Sequence, residues 1–143
     1  MRSNVDYNSD SDGKIIYISR QNVSKERGRK VLNYDSIISV IDEFNGQSYT
    51  LEEMTFEEQV ALFAESDLII SPHGAGLLNM TFADNPTVVE LFPDSVLKPH
   101  FYFMSDMLGF EYSPLVTESE GENLVVSKSR LRNHIESIVK TQD

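Results

Sequence analysis

Leu68-Ile69-Ile70-Ser71-Pro72-His73-Gly74-Ala75-Gly76-Leu77-Leu78-Asn79-Met80 begins as an apolar run, passes through a glycine-flanked turn and resumes as a small-to-apolar segment. That pattern predicts a buried parallel strand handing over to a helix. Glycines at 74 and 76 let the backbone come close to a ligand. A helix starting there offers unpaired N–H groups and the positive end of its dipole. The combination suits anions, phosphates above all.

Upstream, Lys14-Ile15-Ile16-Tyr17-Ile18-Ser19 reads as a first buried strand, with Arg20 at its end and a basic loop running to Lys30. Asn33 or Asp35 is placed to cap a helix carrying Ile37, Ile38, Ile41 and Phe44, which Asn45-Gly46 stops. Gln47 to Leu51 is a short second strand. Thr55-Phe56-Glu57-Glu58 has the form of a capping box, opening a helix with Phe56, Val60, Phe63 and Ala64 on one face. Asp67 to Ile70 forms the third strand, and the helix after the glycine turn runs through Phe82 until Asn85-Pro86 breaks it.

Downstream, Thr87 to Phe92 is a fourth strand closed by Pro93. Pro99 to Leu108 reads as a buried helix ended by Gly109, Glu111 to Val116 as a fifth strand and Thr117 to Asn123 as an acidic loop. Ser127 or Ser129 caps a last helix with Leu131, Ile135, Ile138 and Val139 on one side. The polar residues 1–13 are expected to form a flexible tail, and 14–143 a single domain without internal repeats. Strands alternating with helices imply an α/β fold, a three-layer αβα arrangement with a parallel sheet of about five strands. Ligands of such sheets bind beyond the carboxyl ends of the strands. Arg20, the His73-Gly74-Ala75-Gly76 turn and Glu90, near the end of the fourth strand, all fall there.

The 143 residues, 40% of them hydrophobic, suffice for one compact core. The absence of cysteine excludes disulfides and thiolate metal sites. No apolar run approaches the roughly 20 residues that span a bilayer. Met1 to Tyr7 lacks the apolar core of a signal peptide, so a soluble cytoplasmic protein without a transmembrane segment is expected. Asn22-Val23-Ser24 and Asn79-Met80-Thr81 match the glycosylation triplet, which matters only in a secreted chain. A formal charge of −11 argues against general binding to nucleic acid or acidic membranes. The cations are gathered: Lys14, Arg20, Lys25, Arg27, Arg29 and Lys30 lie close together, with Glu26 the one acid among them. Between Asp35 and Ser127 the only basic residue is Lys98. The basic segment reads either as a solvated loop balancing an acidic remainder or as an anion-binding element.

The glycine turn is neither a G-x-G-x-x-G fingerprint, since it follows the third strand, nor a P-loop, since no G-K-S/T follows. Its wider context is more specific. Ser71 to Met80, followed by Val88-Val89-Glu90-Leu91-Phe92-Pro93, resembles the hallmark of glycosyltransferase family 61. Ile18-Ser19-Arg20 and Arg29-Lys30-Val31-Leu32-Asn33 look like the upstream strand and the Arg-rich stretch before an Asn in that family. The resemblance runs in order over about residues 14–95.

The resemblance implies a GT-B-type enzyme with two Rossmann-like halves, this chain looking like the C-terminal, donor-binding half. It implies metal-independent transfer from a nucleoside-diphosphate sugar, expected to be UDP-linked, to a glycan or other acceptor, the product being a glycan or a surface polysaccharide. The nucleotide sugar is then a substrate, and no separate cofactor is expected. An acceptor-binding domain or subunit would be the partner. Diphosphates favour bidentate guanidinium partners, for which Arg20 and Arg29 are the candidates. Backbone N–H groups of Gly74, Ala75 and Gly76 would take further oxygens, and fixed donors of this kind stabilise a leaving diphosphate. Glu90 is a candidate to accept from ribose hydroxyls, the other reading being a carboxylate paired with a nearby cation. His73 suits a phosphate or sugar contact, or a structural bond to backbone; Asn79 suits the ligand or the turn. His100 and the aromatics at 101–103 read as core. Asp10-Ser11-Asp12 has a metal-holding D-x-D form, but in a polar tail with no preceding strand it reads as solvated loop. No residue stands out as the catalytic base.

Three functional classes compete. One is a donor-binding domain of a glycosyltransferase; another is a non-catalytic nucleotide- or partner-binding module derived from one. A nucleotide-dependent oxidoreductase fares worse, because no glycine fingerprint follows the first strand.

Overall fold

The computed structural model describes residues 14–19, 31–72, 79, 81–93, 105–120 and 123–142. The expected tail at 1–13, the basic loop to Lys30 and the first part of the Pro99–Leu108 helix lie outside them.

Among the described residues six strands form one sheet: β1 (Ile15–Ile18), β2 (Gln47–Tyr49), β3 (Leu68–Pro72), β4 (Thr87–Pro93), β5 (Glu111–Glu120) and β6 (Asn123–Val125). Their spatial order is β2-β1-β3-β4-β5-β6. Every pairing is parallel except β5 with β6, which is antiparallel. The expectation of about five parallel strands is therefore corrected to a mixed sheet of six. The error sits at Thr117 to Asn123. Thr117–Glu120 continues β5 rather than forming an acidic loop, because Glu118, Ser119 and Glu120 pair with Val125, Leu124 and Asn123. Their acidic side chains alternate outward on an exposed strand, which sequence alone does not separate from a loop.

The central strands are buried on both faces, as their unbroken apolar runs require. Ile15, Tyr17, Leu68, Ile70, Val89 and Leu91 meet α1 (Tyr34–Glu43) and the C-terminal helix α3 (Lys128–Gln142). Ile16, Ile18, Ile69 and Val88 face the other way, toward Leu62 and Phe63 of α2 (Phe56–Glu65). At the amino edge Asp67 aligns the strand starts: Lys14 N–H donates to its carboxylate at 2.8 Å, and Thr87 N–H to its carbonyl at 2.9 Å.

Helix boundaries follow local chemistry. The capping box forms, with Glu58 N–H donating to Thr55 Oγ1 (3.1 Å) and Thr55 N–H to Glu58 Oε1 (2.8 Å). Asn45, at φ 61°, ends α1 in the left-handed region. Gly46 must be small: a Cβ there would lie 2.8 Å from Ile41 Cγ2 and 3.0 Å from the Ile15 carbonyl. Ser127, not Ser129, caps α3 through Arg130 N–H (3.3 Å). Leu131, Ile135, Ile138 and Val139 are all buried, as their spacing predicts.

Three expectations change. Val40 replaces Ile38 on the buried face of α1, beside Ile37 and Ile41. Phe56 is 63% exposed and packs edge-on against Phe82, so it lies outside the core that Leu62 and Phe63 build. Asn33 precedes α1 without capping it. Its Nδ2 instead donates to the Val126 carbonyl (2.7 Å) and its Oδ1 accepts from Val126 N–H (3.0 Å).

Candidate functional site

In β1 and β3 the same residue types that make buried strands also set where the chain emerges. The two strands are adjacent and parallel, with Tyr17 opposite Ile70. Both therefore deliver the chain to one carboxyl edge, at Ser19 and at Pro72. Arg20 and His73 are the next residues in sequence. Arg20, Arg29, His73, Gly74, Ala75 and Gly76 lie outside the described residues; Asn79 and Glu90 lie within them.

Asn79 sits beside α2. Its Nδ2 donates to Gln59 Oε1 at 2.7 Å. The Gln59 amide nitrogen in turn donates to the carbonyls of Leu51 (3.0 Å) and Met54 (3.3 Å). Those carbonyls belong to the 3-10 turn Leu51–Glu53 and the residue after it, directly following β2. Residues 79, 81 and 82 have 3-10 rather than α-helical geometry.

Glu90 is fully buried. It lies at the middle of β4, opposite Ser71 of β3 and Pro114 of β5, with Leu91, Phe92 and Pro93 still to follow. The strand thus runs one residue beyond the expected Phe92, which sets Glu90 at its centre rather than near its end. Its Oε1 accepts from the Tyr112 hydroxyl at 2.5 Å. Burial first, and then the bond to Glu90, push the Tyr112 phenol far above its ordinary value. Tyr112 is consequently a fixed donor at any physiological pH. Ser71, on the same face, turns its hydroxyl to the Pro72 carbonyl (2.7 Å).

A second polar pair stands on the opposite face, where Ser113 Oγ and His134 Nε2 are 2.7 Å apart. Burial lowers the His134 imidazole below its ordinary value. Gln59, Tyr112 and His134 were not marked by sequence. The Tyr112–Glu90 contact needs the β4–β5 register, and Gln59 lies one turn after the capping Thr55 with no periodic feature to single it out. Among the described residues there is no cluster of three His, Asp or Glu placed to hold a metal, and no helix long and apolar enough to cross a membrane.

The family model Glycosyltransferase 61 matches residues 1–89, a stretch holding β1 to β3 and the first residues of β4. The EGF domain-specific O-linked N-acetylglucosamine transferase of Drosophila melanogaster is 32% identical over 83 residues, which are 55% of this chain and 15% of that protein. The human protein O-linked-mannose beta-1,4-N-acetylglucosaminyltransferase 2 is 34% identical over 82 residues, 54% of this chain and 14% of that protein. Beta-1,2-xylosyltransferase of Arabidopsis thaliana is 33% identical over 63 residues, 43% and 12% respectively. The aligned stretch thus spans about a seventh of the length of these relatives.

Proposed function

Since this chain belongs to the glycosyltransferase 61 family, we propose that it is the donor-binding part of a glycosyltransferase, with a Rossmann-like three-layer core. It holds a nucleoside-diphosphate sugar, UDP-linked, at the carboxyl edge of its sheet. The diphosphate lies between the guanidinium groups of Arg20 and Arg29 and the backbone amides of Gly74, Ala75 and Gly76, with His73 beside it. Transfer proceeds without a metal, the fixed cationic and amide donors stabilising the departing diphosphate. A partner domain or subunit supplies the acceptor, a glycan or other hydroxyl compound.

One observation carries the reading. β1 and β3 are neighbours, run parallel and end at one edge, directly before Arg20 and His73. Strands ending at opposite edges would have separated these residues by the length of the sheet.

Isothermal titration with UDP, GDP and NAD tests it. UDP is expected to bind, and Arg20→Ala to weaken binding by roughly 10- to 100-fold, the scale of a lost charge-assisted hydrogen bond. Preference for NAD, or UDP binding indifferent to Arg20→Ala, would discard the proposal.

A further inference from the structure

We infer that Gln59 is a positioning residue, which holds Asn79 in place at the carboxyl edge. The inference deepens the donor-site reading and, for its effect on ligand binding, rests on it. Three described elements converge on this one amide. The turn that follows β2 supplies the carbonyls of Leu51 and Met54, α2 supplies Gln59 itself, and the connection from β3 to β4 supplies Asn79. A glutamine can do this because its amide is a donor at one atom and an acceptor at the other. Nε2 anchors to the turn, which leaves Oε1 aimed at the Asn79 amide.

The strand geometry makes the edge the right one. The turn follows the carboxyl end of β2, and Gln59 lies in the first half of a helix that runs back from that edge toward the start of β3. Asn79 comes six residues after His73 in sequence. That spacing limits how far Asn79 can lie from His73 to about 20 Å of extended chain. The edge-on pair of Phe56 and Phe82, with centroids 5.7 Å apart, adds a second contact between α2 and the same connection.

The test uses the full chain and its variants Gln59→Leu, Gln59→Glu, Asn79→Ala and the double variant Gln59→Leu/Asn79→Ala. Two quantities are read: UDP affinity by calorimetry, and hydrogen exchange of amides 79–82 without ligand. Gln59→Leu is expected to weaken UDP binding about tenfold and to speed exchange at 79–82 by a similar factor. Gln59→Glu keeps the acceptor for Asn79, so it should lose less affinity than Gln59→Leu while melting earlier than wild type. The double variant should bind no more weakly than Asn79→Ala, because both act on one contact. Unchanged UDP affinity in Gln59→Leu, or losses that multiply in the double variant, would overturn the inference. If wild type does not bind UDP, the donor-site reading fails by itself. Exchange then decides the positioning role, which is overturned if Gln59→Leu leaves residues 79–82 as protected as before.

Discussion

Single side chains in this fold often serve a purpose their local sequence does not announce. Asn33 has the residue type and position of a helix cap, yet both ends of its amide are engaged by the backbone of Val126. Removing it strands an N–H and a carbonyl of a residue that is only 2% exposed. Asn33→Ala should therefore destabilise the chain by about 1–3 kcal/mol, with Asn33→Asp, which keeps one of the two bonds, in between. Urea titration at constant m would measure it, and an effect within error of zero would refute the two-point bond. Glu90 teaches the same lesson. Its residue type and apolar strand were legible, but its partner Tyr112 lies 22 residues away and is brought near only by strand register. Capping boxes and glycine stops were legible because they act within one turn of chain.

Among the elements, α3 shows how a helix is held by more than its apolar stripe. Its buried residues were readable from their spacing. Its polar attachments were not, because they depend on which elements become neighbours. Arg132 grips Glu43 of α1 through two bonds of 2.7 Å. The Arg132 guanidinium holds the Glu43 carboxyl below its ordinary value, but the pair is exposed and serves register more than stability. His134 matters more with pH. Burial lowers its imidazole below the ordinary 6.5, so the folded chain keeps it neutral while the unfolded chain takes a proton first. Stability from this group is complete above about pH 6.5 and is lost as pH falls through the lowered folded value. Melting temperature should thus drop between pH 7 and pH 5, and His134→Gln should flatten that slope. A slope identical in the variant would remove His134 as its source. β5 is the element most misjudged from sequence. Its pattern of exposed acids over Thr117–Glu120 becomes intelligible only beside β6.

For the whole molecule, the apolar runs of β1, β3 and β4 made the α/β class legible, since strands covered on both faces have no polar side. The edges were harder, because β2 and β6 are three residues each and carry little pattern. Stability should be graded accordingly. Amide exchange is expected to be slowest in β1, β3 and β4 and fastest, among the strands, in β2 and β6. Mass spectrometry of exchanged peptides would show it, and a β2 as protected as β3 would contradict the strand order. The seam between early and late chain has a consequence for synthesis. Val31 bridges Leu124, Leu32 N–H donates to the Leu124 carbonyl at 2.9 Å, and Asn33 clasps Val126 across 93 positions. On a ribosome Val31, Leu32 and Asn33 must wait for these partners until the codons for Leu124 and Val126 are read. A nascent product released before that point lacks the backbone that Leu32 and Asn33 bind, and the start of α1 is then held from the side of Tyr17 and Ser48.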